Sequence, residues 1–542
     1  MDRAVTASAG TMAPKSLSPM HLFRASQVIA HWAEFTPDAP AISDPCRGLS
    51  YRELEHAIDR AAQLLLERNV RTGDRVTIVA ENNVAAAVYM FATQRVNAWP
   101  AIINARLGHR EIQGLQECVG SRLTIFAVDG APAASGAAAS AGIDDAIEDA
   151  SSGRVLLSNV NPMCEPELAP ALGEHQVGLL IFTSGTTGKP KAVMLSHHAL
   201  IHLGAVLSKS RRTSSKDSYN GVAPLSHIMG IANLMNATWS GAGLRLMPRL
   251  ELPVLARSIA SGEISHLSFV PTVYSRLVEY VETSHYDMSG HRLRYISCGG
   301  APLDPLLKQR VEALFKLRLV NGYGMTECAP AVRSRPDFDS PAQSIGWPEE
   351  GVETRIVTPD GTTCEPNDVG ELWLRSSTQM MGYYRNPEET TAALRPGGWL
   401  ATGDLAQLMS DGQIALVGRR KEMIIRSGFN VYPAEVEAAL NRLPQVLQSA
   451  VVGRKTRDGN EEVIAFIQPR CAAAISTAQI LAGLGDNLAP YKRPQRIVLL
   501  DSLPLVATGK IWKSKLAEMA AELPAAELRP NQQASRQTTS TP

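Results

Sequence analysis

The sequence predicts an α/β protein with a large composite N-terminal domain and a small α+β domain at the C-terminal end. Short apolar runs alternate with amphipathic helical patterns, as in parallel-rich sheets flanked by helices. The chain has 542 residues, more than one ordinary domain of about 100–200 residues holds. After about residue 365 the apolar residues alternate as in antiparallel strands, and we expect the large domain to include a β-barrel-like part.

The predicted elements of the large domain follow from these patterns in order along the chain. An amphipathic helix is predicted at 51–69. Buried strands are predicted at RVTIVA (75–80), LTIFAV (123–128), VGLLIF (177–182), LSFV (267–270) and LRYISC (293–298). The segment 130–142, GAPAASGAAASAG, is interpreted as a low-complexity surface connection.

The last third of the chain predicts a compact module of about 100 residues. Antiparallel strands are expected at VGELWLRS (369–376) and GQIALVGR (412–419), before the module begins near Lys421. The module itself has predicted helices at 433–446 and 478–488, and strands at 450–455 and 462–469. We therefore predict a flexible tail at 1–18, a large domain at 19–420, a small C-terminal domain at 421–522 and a flexible tail at 523–542.

Composition excludes several classes of protein. Lys plus Arg and Asp plus Glu both total 53, and this balance argues against nucleic acid as a partner. The 7 cysteines are scattered without a C-x-x-C pair, which argues against a disulfide framework or a zinc site and favours a cytoplasmic location. No apolar run reaches the ~18 residues of a transmembrane helix, and we expect no such segment.

The segment Thr183–Lys191, TSGTTGKPK, predicts a phosphate-binding loop between two strands. Its glycines allow backbone N–H groups to turn toward an anion, and its hydroxyls and lysines add donors and positive charge. A flexible surface turn is the alternative, and the spacing differs from the Walker A pattern. The predicted phosphate ligands are Thr183, Ser184, Gly185, Thr186, Thr187, Gly188, Lys189 and Lys191.

This loop resembles the signature of the adenylate-forming superfamily, which includes acyl-CoA synthetases, adenylation domains and firefly luciferase. Further motifs of that family occur in the same order from about Tyr51 to about Lys515. They are APLSHIMG (223–230), CGGAPL (298–303), NGYGMTE (321–327), WLATGD (399–404), GRRKEMIIRSGFNVYPAEVE (418–437) and ATGK (507–510). The resemblance implies ATP, Mg²⁺ and coenzyme A as cofactors and co-substrates.

The resemblance also implies roles for residues of the nucleotide site. Tyr323, between Gly322 and Gly324, is expected to stack on adenine, whose other side faces Gly300, Ala301 and Pro302. Thr326 is expected near the α-phosphate, and Glu327 is expected to act through Mg²⁺, which prefers oxygen ligands. Asp404 is expected to bind the ribose hydroxyls with assistance from Arg419.

The acid pocket is implied at His227, with Met229, Asn233 and Gly299 on its wall. No Asp occurs from Gly221 to Asn236, which argues against an α-amino acid substrate because its ammonium would lack a partner.

The catalytic residues implied by the resemblance are Lys510, His227, Thr187 and Glu327. Lys510 is expected to stabilise negative charge during adenylation, which suits a flexible ammonium. The resemblance further implies that Lys421 lies at a hinge, that the small domain at 421–522 is a mobile lid, and that Gly428 lies at the thiol channel.

The predicted function is an AMP-forming acyl-CoA ligase in which an acyl-adenylate forms and coenzyme A then displaces AMP. The substrate is expected to be a medium- or long-chain fatty acid or an aryl acid, and SGFNVYP (427–433) favours the fatty acid. The alternatives are loading of a carrier-protein thiol, a luciferase-like oxidation and a non-catalytic acyl- or nucleotide-binding regulator. A homodimer is a further expectation. The Trp99–Pro100 pair departs from the small, Gly-rich stretch expected there.

Overall fold

A computed structural model describes residues 23–168, 173–184, 190–456, 460–470, 476–485, 488–505 and 510–524. Most of both predicted tails, and residues 185–189 of the predicted phosphate loop, lie outside these ranges. The chain divides into two compact units. Unit 1 comprises Met1–Arg420 with Val506–Lys510, and unit 2 comprises Lys421–Leu505 with Ile511–Pro542. Each unit is described separately below.

The described helices of unit 1 are α1 (Gln27–Phe35), α2 (Tyr51–Glu67), α3 (Val84–Arg95), α4 (His109–Val119), α5 (Pro132–Ser140), α6 (His197–Arg211), α7 (Ile228–Ser240), α8 (Leu252–Ala260), α9 (Pro271–Ser284), α10 (Pro305–Phe315) and α11 (Pro387–Ala393). Side-chain caps start several of them. Ser50 and Glu53 form a reciprocal capping box at the start of α2, which satisfies backbone donors that would otherwise lack partners.

The strands of unit 1 are β1 (Pro40–Ser43), β2 (Gly48–Ser50), β3 (Arg75–Ala80), β4 (Trp99–Asn104), β5 (Leu123–Ala127), β6 (Asp145–Asp149), β7 (Gly153–Leu157), β8 (Val177–Ser184), β9 (Pro190–Ser196), β10 (Ser218–Gly221), β11 (Gly243–Leu246), β12 (His266–Phe269), β13 (Tyr295–Gly299), β14 (Leu319–Met325), β15 (Cys328–Arg333), β16 (Ser344–Pro348), β17 (Val352–Val357), β18 (Gly370–Ser376), β19 (Gly382–Tyr383), β20 (Leu394–Arg395), β21 (Trp399–Leu408) and β22 (Ile414–Arg419).

Two sheets organise unit 1. The 8-stranded sheet has the order β19-β9-β8-β4-β3-β5-β7-β6, and its centre is parallel. In the 14-stranded sheet, β10 to β14 and β1 form a parallel part, and β14 to β18, β21 and β22 continue it with antiparallel pairings. Helices α2, α3, α6 and α7 share one hydrophobic core with strands of both sheets. The predicted parallel strands are present, and the change to antiparallel pairing in this sheet begins at β15, earlier than the predicted position near residue 365.

Helix α3 shows how completely this core is enclosed. Every residue from Val84 to Gln94 is buried, since the helix has apolar and small side chains on all its faces. Trp99, at the start of β4, is also buried and meets the ring of Tyr384 edge-on at 5.9 Å between centroids. The unusual Trp99–Pro100 pair therefore has a packing role in this sheet.

The interpretation of residues 130–142 as a surface connection is wrong. The segment contains α5, which begins with Pro132 in its first turn and packs Ala134, Ala137 and Ala138 into a core cluster. Alanine has the highest helix propensity, and its small side chain allows close packing on β5. Low sequence complexity in this segment reflects close packing of a helix against a strand.

Unit 2 is an α+β module with its own core. Its described elements are β23 (Ile424–Arg426), β24 (Phe429–Val431), α12 (Pro433–Asn441), β25 (Val446–Lys455), β26 (Glu461–Pro469), α13 (Thr477–Leu484), β27 (Arg496–Leu499) and α14 (Lys513–Glu522). Strands β25, β26 and β27 form a sheet with one antiparallel and one parallel pairing. The predicted fold class, α/β with a large and a small domain, is confirmed.

Candidate active site

The predicted phosphate loop joins β8 to β9 at the edge region of the 8-stranded sheet. Thr183 pairs with Lys191 and Ser184 with Pro190 in the antiparallel register, so the two strands bring both ends of the loop together. Gly185, Thr186, Thr187, Gly188 and Lys189 lie outside the described residues, as does the side chain of Ser184. The predicted strand–loop–strand arrangement is therefore visible at its two anchors.

Lys191 is the described lysine of this loop, and it is 9% exposed. Its Nζ lies 2.6 Å from Oε2 of Glu389 on α11 and 4.8 Å from the centroid of the Tyr383 ring. A buried ammonium needs such partners because removal from water is costly. These contacts fix the second end of the loop against β19 and α11.

Glu327 connects to the same tyrosine from the other sheet. It follows Thr326 in the turn between β14 and β15, and both side chains are buried. The Tyr383 hydroxyl donates a 2.8 Å hydrogen bond to Oε1 of Glu327. Burial and the Glu327 charge raise the pKa of Tyr383, so the phenol keeps its proton and remains a donor. Glu327, Tyr383 and Lys191 thus form one connected group beside the predicted phosphate loop.

Tyr323 and Asp404 form the third part of the site. The Tyr323 hydroxyl donates a 2.6 Å hydrogen bond to Oδ2 of Asp404, and Nε of Arg419 lies 3.0 Å from Oδ1. Asp404 and Arg419 are cross-strand partners on β21 and β22. Burial is the main cause that raises the pKa of Tyr323. Asp404 therefore presents a carboxylate held by two donors next to an aromatic ring.

Curvature of the large sheet brings Tyr323 and Asp404 together. In the strand order, β15, β16 and β22 lie between β14 and β21. A flat sheet would separate these strands by about 19 Å, at about 4.8 Å per strand, which a tyrosine side chain does not span. The antiparallel part must therefore bend round toward the end of β14.

Gly300 is a meeting point for residues predicted in different motifs. It follows β13 with φ +80°, a conformation that favours glycine. A Cβ placed there would lie 3.4 Å from Cε of Lys510, 3.5 Å from Val270 and 3.6 Å from Cε of Met229. The next residues, Ala301 and Pro302, are partly buried and exposed, respectively. The structure thus brings Gly300, Met229 and Lys510 together, and Gly299 lies beside them.

Lys510 is enclosed in this position. Burial lowers the pKa of its ammonium, the charge of Arg419 lowers it further, and the charge of Asp404 opposes both. A lysine with a lowered pKa still stabilises developing negative charge when it is protonated, and it does so more strongly where water is excluded.

His227 caps the helix that carries the pocket wall. Its Nδ1 accepts a 3.2 Å hydrogen bond from the Met229 backbone N–H at the start of α7. Burial, together with the charge of Lys510, lowers the pKa of His227 to about 4. The ring is therefore neutral at pH 7 and is oriented by its own helix.

Asn233 lies one turn further along α7 and is 1% exposed. Its Oδ1 accepts a 2.9 Å hydrogen bond from Nη1 of Arg211, at the end of α6. Nearby on the sheet, Nη1 of Arg333 donates a 2.8 Å hydrogen bond to the Tyr295 hydroxyl. The pocket wall predicted at Met229 and Asn233 is therefore apolar at one position and strongly polar at the next.

Sequence reasoning missed Arg211, Arg333 and Tyr383. Tyr383 lies in MGYYRN (381–386), where two adjacent aromatics after a glycine were the available signal. Arg211 and Arg333 had no motif around them, because their role depends on the sheet face that α6 and β15 share with Asn233.

Two predicted residues lie in unit 2. Lys421 is exposed in a short 3₁₀ turn, Arg420–Glu422, at the point where the two units divide. Gly428 lies in the tight β23–β24 hairpin with φ +81°, and a Cβ there would meet no atom within 4 Å. The hinge and thiol-channel roles of these residues stay predictions.

A model of the AMP-binding enzyme family matches residues 29–384, and a model of the AMP-binding enzyme C-terminal domain matches residues 435–510. The chain belongs to the AMP-binding enzyme family. The predicted membership of the adenylate-forming superfamily and the predicted class of acid–thiol ligase are confirmed.

Curated relatives of this family cover nearly the whole chain. Feruloyl-CoA synthase of Amycolatopsis sp is 32% identical over 493 residues, which are 89% of this chain and 96% of that protein. 4-Coumarate-CoA ligase 1 of Narcissus pseudonarcissus is 29% identical over 531 residues, which are 94% of this chain and 96% of that one.

Solved structures of AMP-binding enzymes have the same fold. ATP-bound MatB from Rhodopseudomonas palustris has a TM-score of 0.80 and 27% identity, with 92% of this chain and 99% of that chain covered. O-succinylbenzoate coenzyme A synthetase from Bacillus subtilis, in complex with ATP and magnesium ion, has a TM-score of 0.76 and 25% identity, with 90% and 98% covered. The predicted use of ATP, Mg²⁺ and coenzyme A is confirmed at the level of the family.

Residues of this AMP-binding enzyme fit those groups. Asp404 is a buried carboxylate that can accept hydrogen bonds from hydroxyl groups, and Tyr323 offers a ring beside it. In the described part of the chain no three His, Cys, Asp or Glu side chains gather as a metal site. A Mg²⁺ ion bound by Glu327 would therefore depend on nucleotide phosphates for further ligands, as is usual for Mg²⁺.

No helix in the described ranges is long and apolar enough to span a bilayer. The cytoplasmic location and the homodimer stay predictions.

Proposed function

We propose that this enzyme is a coenzyme A ligase for aryl acids, and that the acid lies between His227 and Asn233. The observation that supports this proposal best is the polar end of the predicted pocket. Met229 offers an apolar surface beside Gly299 and Gly300, but Asn233, about 6 Å further along α7, is bound to a charged arginine.

A long alkyl chain fits this wall poorly. A fatty acid needs a continuous apolar channel. An alkyl chain packed against the buried Asn233 amide and Arg211 guanidinium would keep other hydrogen-bond partners away from these groups and would offer none itself. A planar acid with polar substituents matches a short apolar section that ends in hydrogen-bond donors. Feruloyl-CoA synthase and 4-coumarate-CoA ligase, both similar to this chain, are named for such acids.

In this proposal the nucleotide lies across the ends of β13 and β14. Tyr323 stacks on adenine, with Gly300, Ala301 and Pro302 on its other side, and Asp404 binds the ribose hydroxyls beside Arg419. Thr326, Glu327 and the Thr183–Lys191 loop hold the phosphates and Mg²⁺. The bond that forms joins the substrate carboxylate to the α-phosphorus, and pyrophosphate leaves.

The chain supplies positioning and charge rather than a covalent nucleophile. His227, neutral and fixed at the start of α7, orients the carboxylate. Lys510 stabilises the negative charge that grows on the transferring oxygens. In the second half-reaction the coenzyme A thiolate attacks the acyl carbon and AMP leaves.

We also propose that residues 421–522 act as a lid that turns about Lys421 between the two half-reactions, and that Gly428 then lines the thiol channel. This arrangement would let one acid pocket serve two reactions, since Lys510 is needed only in the first.

A thioester screen tests the aryl assignment. Purified enzyme with ATP, Mg²⁺ and coenzyme A is offered benzoic, cinnamic and hydroxycinnamic acids and fatty acids of 6 to 18 carbons, each at the same concentration, and thioesters are quantified by chromatography. We expect kcat/KM to be at least about 10-fold higher for the best aryl acid than for any fatty acid. A fatty acid as the best substrate would overturn the assignment. Thioester formation only with a carrier protein would overturn the coenzyme A step.

A further inference from the structure

A group of buried basic and amide side chains lies behind the predicted acid pocket. Helices α6 and α7 pack over a sheet face that carries the rings of Tyr219, His266 and Tyr295. The Arg211 guanidinium lies 6.0 Å from the Tyr219 ring centroid and 5.9 Å from that of Tyr295. Arg333 reaches the same Tyr295 from β15, at 5.8 Å. Two cations therefore share one aromatic, largely buried face.

The hydrogen-bond donors of this group outnumber the partners they have. Nε of Arg211 and Nδ2 of Asn233 are buried and have no hydrogen-bond partner, although Arg211 Nη1 binds Asn233 Oδ1. Buried donors without partners cost stability, because they lose hydrogen bonds to water and gain none in return. Two such donors in one hydrogen-bonded pair of residues suit a ligand that supplies the acceptors.

The charges of this group are also unequal. Among the described residues, Glu349 is the carboxylate that faces both arginines, and its Oε1 lies 3.0 Å from Nε of Arg333. Asp217, on the far side of His266, is bound 3.0 Å from Arg294. One carboxylate therefore faces two guanidinium groups, and the group keeps a positive charge that an anion would balance.

The backbone places this group next to the acid pocket. Gly299, Gly322 and Arg333 are consecutive register partners across β13, β14 and β15. The Arg333 side chain crosses Gly322, because a Cβ placed on Gly322 would lie 3.8 Å from Cγ of Arg333. A Cβ placed on Gly299 would lie 3.8 Å from Cε of Met229. Met229 and Asn233 lie four residues apart on α7 and so share one helix face. A molecule that passes Met229 therefore reaches Asn233 next.

We propose that the acid carries a second carboxylate at its far end, and that Arg211 and Asn233 bind this group. The inference rests on the proposed function, since it assumes that the reacting carboxylate lies at His227 and Gly300. Six residues, about 9 Å along α7, separate His227 from Asn233, which leaves room for one benzene ring between the two carboxylates. An aromatic dicarboxylic acid with its carboxylates on opposite sides of the ring fits this spacing.

A matched pair of substrates tests the proposal. Benzene-1,4-dicarboxylate and 4-methylbenzoate have similar shapes, but only the first has the second anion. AMP release with ATP, Mg²⁺ and coenzyme A gives kcat and KM for each acid. We expect the dicarboxylate to be preferred at least about 10-fold in kcat/KM, mainly through a lower KM.

Two variants localise the preference. Arg211→Met and Asn233→Leu should each lower kcat/KM for the dicarboxylate about 30-fold through KM and lower that for 4-methylbenzoate much less, so that the preference between the two acids is lost. Arg257→Met, on the exposed side of α8, is the matched control and should change neither value. Arg211→Lys keeps the charge and should restore part of the preference, and a melting temperature measured for each variant identifies any failure to fold.

The outcomes separate this inference from the proposed function. Equal losses for both acids in folded Arg211→Met and Asn233→Leu, or a wild-type preference for 4-methylbenzoate, would show a purely structural role and overturn the inference alone. Turnover of fatty acids with no turnover of either aromatic acid would overturn the proposed function instead.

Discussion

The hydroxyl of Tyr323 donates a 2.6 Å hydrogen bond to Oδ2 of Asp404 and so links β14 to β21 across a curved sheet. The two residues belong to different motifs and lie 81 positions apart along the chain. Their contact sets the position of the aromatic ring relative to the carboxylate before any nucleotide binds, and this reduces the ordering that binding must impose.

Tyr323→Phe should keep the ring and remove this hydrogen bond. We expect KM for ATP to rise about 10-fold with a smaller change in kcat, because Asp404 loses a donor that holds it in place. Steady-state AMP release at varied ATP measures this. If Tyr323→Phe leaves KM for ATP unchanged and Tyr323→Ala does the same, neither the hydroxyl nor the ring belongs to the nucleotide site.

Lys510→Ala should separate the two half-reactions. Acid-dependent ATP–pyrophosphate exchange is expected to fall at least about 100-fold, since a cation near the developing charge is lost. Thioester formation from pre-made acyl-adenylate and coenzyme A should stay within a few-fold of wild type. Lys515→Ala, on the exposed side of α14, is the control and should affect neither. Parallel loss of both half-reactions would contradict a role limited to adenylation.

Tyr383→Phe tests the connection between Glu327 and the phosphate loop. Without its 2.8 Å hydrogen bond, the Glu327 carboxylate is less well oriented, and we expect the Mg²⁺ concentration for half-maximal activity to rise about 3- to 10-fold. Glu327→Gln should raise it further. Titration of activity with Mg²⁺ at saturating ATP measures both. An unchanged Mg²⁺ dependence in Glu327→Gln would remove this residue from the metal site.

His266 should make the protein less stable in mild acid. Burial lowers the pKa of His266 to about 4, whereas an unfolded histidine titrates near 6.5. Between about pH 6.5 and pH 4 the unfolded chain binds more protons at this histidine than the folded chain does, so the free energy of unfolding falls as the pH drops through this range. Above pH 6.5 the free energy of unfolding does not depend on His266. At pH 5 its decrease is about 2 kcal/mol.

Urea unfolding at pH 7.5 and pH 5.0, followed by tryptophan fluorescence, measures this loss. His266→Gln should show a smaller decrease between the two pH values than the wild type does. His227, with its pKa also lowered to about 4, contributes in the same direction, so some decrease remains in the variant. An equal decrease in wild type and His266→Gln would show that His266 is not the group that titrates.

The sequence was sufficient where a pattern is local. The predicted strand at 75–80 is β3, Arg75–Ala80, and the helix predicted at 51–69 is α2, Tyr51–Glu67, because period and capping residues lie within the segment itself. The Ala-rich segment at 130–142 was misread for the opposite reason. Its helix depends on packing against β5, and composition does not show what a helix will pack against.

The candidate site divides in the same way. Tyr323, Asp404 and Lys510 were predicted because each lies in a motif that resembles a known family, and no pattern within 542 residues predicts that β14 and β21 approach each other. Arg211 and Arg333 lie outside every motif. They meet at one sheet face only after α6, β13 and β15 have packed. The sequence alone therefore did not show the polar residues on which the argument against a fatty acid rests.

Acid-dependent formation of AMP tests the central claim most directly. Enzyme, ATP, Mg²⁺ and coenzyme A are incubated with and without an aryl acid, and AMP, pyrophosphate and thioester are quantified in the same samples. The account predicts that the three products form in equal amounts and only with the acid present. ATP hydrolysis to ADP, or AMP formation that is independent of every acid tested, would contradict it.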